Sequence, residues 1–241
     1  MNRDVPSENR QRDFWDSWNM TNRSDGEDPD DFMRAQLEVT VGQLARADRR
    51  PLSILEVGCG TGWLCGALAA FGPITGIDLS PAAVVAAAAR FPEGRFLAGD
   101  FLSLDLEPGF DFVVSADVIA HVRDQQAFID RIAGLMAPGG TFVLMSQNPF
   151  VWNRMSTLGA AGEGQIRDWP GLRRLSDLLG KEFRIVRRTS IVPGGDRGVL
   201  RVLGRSKFRN LIGSVVGRDR MDRVWGRSFL GRELVIVAER R

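Results

Sequence analysis

The stretch Ile54-Leu55-Glu56-Val57-Gly58-Cys59-Gly60-Thr61-Gly62 decides how the chain is read. A short apolar run of strand character passes into glycines at alternate positions, and a segment of helical pattern, 61–71, follows at once. Glycine there lets the backbone turn sharply from strand to helix and approach a ligand closely. The free N–H groups of the helix start then face whatever occupies the space above the turn.

Working outward, short apolar runs at 53–57, 73–78, 94–99, 110–115 and 141–146 alternate with helical segments. Ser80-Pro81 is a cap and first-turn proline for a helix ending near Arg90. Asp124 caps a helix running to Met136, with Phe128, Ile129, Ile132, Leu135 and Met136 as its apolar stripe and Pro138-Gly139-Gly140 as its stop. This alternation predicts a parallel sheet with helices on both faces. Upstream, Phe14, Trp15 and Trp18 share a helical face, and Met33, Leu37, Val41 and Leu44 mark a helix over 31–47. Downstream, a loop carrying Trp152, Gly159, Gly162, Gly164 and Trp169 leads to a helix near 172–179, a strand near 183–192 and a last strand within 229–239. The chain is divided into a polar N-terminal segment or lid, 1–31, and one domain, 32–241, with 194–229 as an insertion too long for a hairpin turn.

With 241 residues, 44% of them hydrophobic, the chain has material for a sizeable core. The polar first 31 residues and the lack of a long apolar run argue against a secretory signal and a membrane span, so a soluble, cytoplasmic protein is expected. Two cysteines and one histidine exclude a zinc site built from Cys and His alone; no metal is expected. Charge is uneven: residues 1–150 carry 12 basic and 21 acidic side chains, and residues 151–241 carry 20 and 9. The later part therefore faces something anionic or packs against the acidic part.

Asp78 stands at the end of the second strand, where a carboxylate can accept hydrogen bonds from two ribose hydroxyls, and Asp100 ends the third. A dinucleotide fingerprint asks for glycine at the sixth position of the loop, which here is Trp63. Glu56 would bring negative charge toward a pyrophosphate, whereas it suits a ligand with an amine and a sulfonium. Taken singly, the glycines could make only a tight turn, and Asp78 and Asp100 could cap the segments after them. Taken in order, ILEVGCGTG, GIDLS, AGDF and LMAPGGTFVLMS resemble the class I S-adenosylmethionine-dependent methyltransferases, most closely the UbiG-like and other small-molecule enzymes. The resemblance covers about residues 50–147.

It implies an α/β, Rossmann-like, doubly wound sheet of seven mostly parallel strands with the last antiparallel; to this the chain's own residues add an N-terminal helical lid and a basic insertion between the last two strands. It also implies S-adenosyl-L-methionine as cofactor, leaving as S-adenosyl-L-homocysteine. Gly58, Cys59, Gly60 and Gly62 would pass along its methionine part with Glu56 in support, Asp78 would bind the ribose, Leu79 would lie against the adenine, and Asp100 with Phe101 would hold the adenine edge. Ser115, in the run SADVIAHV, would lie under the sulfonium, and Trp15 would close over the cofactor.

Methyl transfer is an in-line displacement in which positioning supplies much of the rate, and a base helps when the acceptor is a hydroxyl. His121 is the candidate base, with capping or packing as its other reading, and Asp117 is the second candidate, for which capping is the favoured reading. Trp18, Gln147, Trp152, Gln165, Arg167 and Trp169 are expected to line the acceptor pocket, core packing being the alternative for the aromatics. Asn148-Pro149-Phe150 follows the fifth strand and lacks a second proline, so it is not read as a nucleobase or amide methylase motif. Arg197, Arg201, Arg205 and Arg209 form a stripe at four-residue spacing, extended by Arg218, Arg220, Arg223 and Arg227. That stripe is read as a solvated face, a site for an anionic acceptor or acyl carrier, or a contact with an anionic membrane surface; no nucleic-acid partner is expected. The expected reaction is O-methylation of a small molecule. N-methylation of an amine and a non-catalytic cofactor-binding module are the alternatives.

Overall fold

The computed structural model describes residues 6–23, 30–48, 51–157, 159–194 and 226–241. The arginine stripe from Arg197 to Arg223 lies outside them, so most of the 194–229 insertion does too. Seven strands form one sheet: β1 (Ile54–Val57), β2 (Ile74–Asp78), β3 (Arg95–Ala98), β4 (Phe110–Ala116), β5 (Met136–Gln147), β6 (Phe183–Pro193) and β7 (Gly231–Arg240). Their order is β3-β2-β1-β4-β5-β7-β6, with β7 antiparallel to both neighbours and every other pairing parallel.

Strand alternation explains why the sheet is covered twice. Leu55, Val57, Val113, Phe142 and Leu144 face a cluster completed by Phe128, Ile129 and Ile132 of α5 (Gln125–Leu135) and by Leu175 and Leu179 of α7 (Leu172–Leu179). Their neighbours Ile54, Phe112, Val114, Val143 and Met145 face the other cluster, with Leu44 of α2 (Asp31–Leu44) and Leu64, Cys65 and Leu68 of α3 (Trp63–Leu68). Strands buried on both faces read as continuous apolar runs, which is what made them visible in the sequence.

Several boundaries differ from expectation. Met136 does not continue α5: it pairs with Phe110 as the first residue of β5, and Pro138-Gly139-Gly140 lies inside that strand, where a register break between Phe110 and Phe112 absorbs it. The loop expected after Gln147 opens with a helix, α6 (Pro149–Met155), for which Asn148 is the cap: its side chain accepts from the Phe150 N–H at 3.1 Å and donates to the carbonyls of Phe229 and Gly231, both at 2.8 Å. In α2 the buried positions are Met33, Gln36, Thr40 and Leu44, not the stripe through Leu37 and Val41. Of the polar residues on that inward face, Gln36 meets the carboxylates of Asp117 and Glu233, and Thr40 donates its hydroxyl hydrogen to the Gln36 carbonyl at 2.7 Å.

Two helices complete the site's surroundings. α4 (Pro81–Arg90) follows β2 and is capped by Ser80, whose hydroxyl accepts from the Ala83 N–H at 3.0 Å. α1 (Glu8–Asn22) lies across α4: Asp16 Oδ1 accepts from the Ser80 hydroxyl and from the Ala82 N–H, the latter at 3.3 Å. Phe14 packs over Gly162 and Gly164 on α1's other flank; a Cβ at Gly162 would stand 2.6 Å from the Phe14 ring. No helix of the described residues is long and apolar enough to cross a membrane.

Candidate active site

The order reversal between β1 and β4 opens a crevice at the carboxyl ends of the strands, the usual ligand position in such sheets. A cleft of about 730 Å³ occupies it, roofed by α1 and floored by the glycine loop.

The loop is pinned from below: the N–H groups of Gly58 and Cys59 both donate to the Ile77 carbonyl, at 2.7 and 2.9 Å. Its three glycines serve different ends. Gly58 has φ +84°, and a Cβ there would lie 2.1 Å from Val118 Cγ2, so the glycine lets the segment after β4 pack against the loop. Gly62 has φ +76°, and a Cβ would meet that of Ala87 at 2.9 Å; it fits α3 against α4 and does not line the cleft, which corrects its expected place beside the cofactor. Gly60 has φ +51°, and among the described residues only Asn19 Oδ1, at 3.5 Å, would come within 4 Å of a Cβ there. It is the position at which a ligand can meet bare backbone.

Asp78 accepts from the Gly60 N–H at 2.8 Å and from the Ser80 N–H at 2.9 Å, so one carboxylate ties the glycine loop to the start of α4. Burial raises its pKa, and these two donors work against that rise. Asp100 accepts from the Leu102 N–H at 3.1 Å. Both carboxylates therefore cap the segments after them and also line the cleft, with Leu79, Phe101 and Cys59. Glu56 lines it too, but burial first, then Cys65 and Asp78, push its pKa well above the usual carboxylate range, and it accepts the Cys65 thiol hydrogen at 2.9 Å. Burial and these neighbours thus work against the fixed negative charge read from the sequence. Ser115 is fully buried within β4, paired with Val57 and Leu144, and does not line the cleft.

His121 ends the short 3-10 turn Ile119–His121 after β4 and lines the cleft. Its Nδ1 lies 2.6 Å from the Ile166 carbonyl, which only accepts, so Nδ1 carries the proton and Nε2 bears the lone pair. Among the described residues Nε2 has no hydrogen-bond partner. Burial lowers the imidazole pKa to about 4, the Arg167 charge adding to the effect and the Ile166 bond opposing it. The Trp15 ring meets it edge-on at 4.7 Å and Trp18 follows at 5.8 Å from Trp15, so α1 presents an aromatic wall to the cleft.

The opposite wall is zipped to that turn. The Asp168 N–H donates to the Ala120 carbonyl at 2.9 Å, and Gln125 Nε2 bridges the Ile119 and Asp168 carbonyls at 3.1 and 2.9 Å. This holds Gln165, Arg167 and Trp169 at the cleft, where Arg167 donates to the Gly159 carbonyl at 2.7 Å and to Gln165 Oε1 at 2.8 Å. Trp152 stands 6.1 Å from Trp169 and from Phe32, with its Nε1 donating to the Arg232 carbonyl at 2.9 Å.

Asp117 has φ +62°, rare for a residue other than glycine, and lines the cleft between His121 and Gln36. Gln36 Nε2 donates to Asp117 Oδ2 at 3.1 Å and to Glu233 Oε1 at 2.8 Å. Burial raises Asp117 to about 6, with Gln36 and Arg23 pulling the other way, and burial and the Asp117 charge raise Glu233. Sequence reasoning missed Gln36, Glu233, Asn19 and Arg23. The available signals were a glutamine on the inward face of α2 and an acid at the head of an apolar strand.

The methyltransferase domain family matches residues 55–144. An uncharacterized methyltransferase of Mycobacterium tuberculosis (strain ATCC 25618 / H37Rv) is 30% identical over 143 residues, 52% of this chain and 73% of that protein. A ubiquinone biosynthesis O-methyltransferase of Rhodopseudomonas palustris (strain TIE-1) is 38% identical over 103 residues, 40% of each chain. The N-methyltransferase NodS from Bradyrhizobium japonicum WM9, solved with S-adenosyl-L-homocysteine, shares the fold at TM-score 0.65 and 18% identity over 96% of this chain and 98% of its own. With the glycine loop, its acidic companions and the strand order in place, these matches show that the chain belongs to the S-adenosylmethionine-dependent methyltransferases.

Proposed function

We propose that the protein transfers a methyl group from S-adenosylmethionine to a hydroxyl of a small-molecule acceptor. The observation that carries this reading is His121: an imidazole neutral at physiological pH, locked in one tautomer by Ile166, with an unpartnered Nε2 on the cleft wall. The cleft fits the cofactor on three counts. Its volume suits a ligand of that size, Gly60 leaves backbone bare, and Asp78 and Asp100 stand at successive strand ends. Asp78 would take the ribose hydroxyls, Asp100 and Phe101 the adenine edge, and Gly58, Cys59 and Gly60 the methionine chain. Bound there, the cofactor supplies an electrophilic methyl on a sulfonium.

The residues of this chain do the rest. Trp15, Trp18, Trp152 and Trp169 exclude water and orient an acceptor, and His121 Nε2 accepts the hydroxyl hydrogen. A low basicity suffices because a hydroxyl that is gaining a methyl group becomes far more acidic than imidazolium as the C–O bond forms. Residues 32–241 act as one catalytic domain, with α1 as its lid. The two free, buried cysteines suit a reducing, cytoplasmic setting.

The test is methyl transfer from isotopically labelled cofactor to a panel of hydroxylated acceptors, with the product's methyl located by NMR. His121→Asn keeps a donor for Ile166 and removes Nε2. It should lower kcat by about 100-fold or more while S-adenosylhomocysteine binds as in the wild type. Unchanged kcat removes His121 from the reaction, and a methyl found on nitrogen replaces the hydroxyl reading.

A further inference from the structure

Beyond the methyl donor's seat, the ends of three adjacent strands carry a cluster that the proposed reaction does not use. Asp117 follows β4, Gln147 ends β5 and Glu233 lies near the start of β7; Gln147 and Glu233 are cross-strand partners, and the Asp117 N–H donates to the carbonyl of Met145 on β5. Gln36 reaches down from α2 and gives its amide to one oxygen of each carboxylate. Among the described residues three acceptor oxygens then remain without a partner and out of contact with solvent: Asp117 Oδ1, Gln147 Oε1 and Glu233 Oε2. Glu233 itself is wholly buried, at 0% exposure. The cluster borders the cleft, for Gln36, Asp117 and Gln147 all line it beside Trp18, Trp152 and Trp169.

A buried acceptor left unpaired is destabilising, more so when charged, so three together form a site that a ligand rich in donors would stabilise. Among the described residues no donor fills this need: Arg23, whose charge acts on Asp117, directs its guanidinium to Asp30 at 3.9 Å and to Met33 Sδ at 2.6 Å. A protonated amine brings three N–H donors and a positive charge to three oxygens, two of them carboxylate, beside aromatic faces that also favour a cation.

We propose that the Asp117–Gln36–Glu233–Gln147 cluster is a recognition subsite for an ammonium group on the acceptor, so that the substrate is a hydroxylated amine. The inference rests on the methyl-transfer reading for the word acceptor and on the cluster alone for the word ammonium. Its charge preference is opposite to the one an arginine-rich partner surface would impose. Burial raises the pKa of both carboxylates, with Gln36 opposing the rise at each, Arg23 opposing it at Asp117 and Asp30 adding to it. A bound ammonium also opposes that rise, so protons held by the pair leave for the buffer on binding.

The test is calorimetric titration of the protein, saturated with S-adenosylhomocysteine, with 2-phenylethylammonium, 2-phenylethanol and phenylacetate at pH 7. The ammonium should bind about tenfold more tightly than either analogue, with an apparent enthalpy that changes with the buffer's ionisation enthalpy. Asp117→Asn should bring the preference below about threefold and leave 2-phenylethanol and S-adenosylhomocysteine binding unchanged. If Asp117→Asn does not fold, Glu233→Gln should give the same loss. Equal binding of the three probes, a preference that survives both substitutions, or a loss of S-adenosylhomocysteine affinity in their place would overturn the subsite; the last result would assign the cluster to the cofactor's own amine. The titration repeated without S-adenosylhomocysteine reads the subsite even where the cofactor reading fails, and a methyl group located on nitrogen would correct the reaction while leaving the subsite standing.

Discussion

His121 ties the fold to the chemistry, and its buried, neutral state has a measurable consequence for stability. The ring is held from one side by the Ile166 carbonyl at 2.6 Å and from another by the Trp15 edge at 4.7 Å, and its pKa falls from 6.5 to about 4. A histidine depressed in the folded state contributes stability that is fully present above its unfolded pKa and is lost as pH falls toward the folded one. The window is therefore pH 6.5 down to about 4. Linkage over that interval gives a loss of about 2 kcal/mol between pH 7 and pH 5 from this one group. In a domain of this size that corresponds to about 4–8 °C in Tm. His121→Asn retains a donor for Ile166 but does not titrate, so it should lack this component. Asp117 works in the opposite direction: raised to about 6, it relieves strain on protonation as pH falls, and wild type and variant share this term. The quantity to measure is thus the difference in Tm between wild type and His121→Asn, by scanning calorimetry at pH 7 and pH 5. It should shift against the wild type by about 4–8 °C on acidification. A difference that stays flat across that range would show that the imidazole is solvated and titrates normally, and the single-tautomer argument would fail with it.

The other predictions concern the loop and the lid. Gly58→Ala places a methyl 2.1 Å from Val118 Cγ2 at φ +84°, and should cost about 2–4 kcal/mol, seen as a fall in Tm of more than about 5 °C. Gly60→Ala meets nothing closer than Asn19 Oδ1 at 3.5 Å, so it should cost only about 1 kcal/mol of stability yet weaken S-adenosylhomocysteine binding at least tenfold by calorimetry. Equal effects on stability from the two substitutions would contradict the assignment of Gly58 to packing and Gly60 to the ligand. Asp16→Ala removes the acceptor that joins α1 to Ser80 and Ala82, and should expose Arg10, Arg12 and Arg23 to trypsin several times faster; an unchanged cleavage rate would mean that α1 is held by its aromatic face alone.

How much was legible follows from sequence separation. The five parallel strands and the glycine loop were readable because each is signalled within a few residues: the inner strands, buried on both faces, give nearly continuous apolar runs, the edge strand β3 is a short one set off by glycines, and a strand-to-helix turn needs its glycines locally. Asp78 was readable because one βα unit sets its distance from the loop. The roles of Gly62 and Ser115 were not, because they depend on tertiary packing: Gly62 lies against Ala87 of α4, and Ser115 is fully buried in β4 between Val57 and Leu144. Met136 fitted the helical stripe of α5 and was claimed by a strand partner, Phe110, that lies far upstream. The Gln36–Glu233 bond joins positions 197 residues apart, and no periodicity announces such a pairing. Its trace was a misfit: α2 buries Gln36 and Thr40 where an amphipathic helix over an ordinary core would bury Leu37 and Val41.

The central claim, that the crevice above the glycine loop holds a sulfonium methyl donor, is tested most directly by calorimetric titration of the whole chain with S-adenosylmethionine, with a nicotinamide dinucleotide as competitor. The account predicts one donor molecule per chain, undisturbed by the dinucleotide, and an affinity about 10–100-fold weaker in Asp78→Asn, where charge-assisted hydrogen bonds to the ribose are lost. No heat with the donor, or its displacement by the dinucleotide, would contradict it.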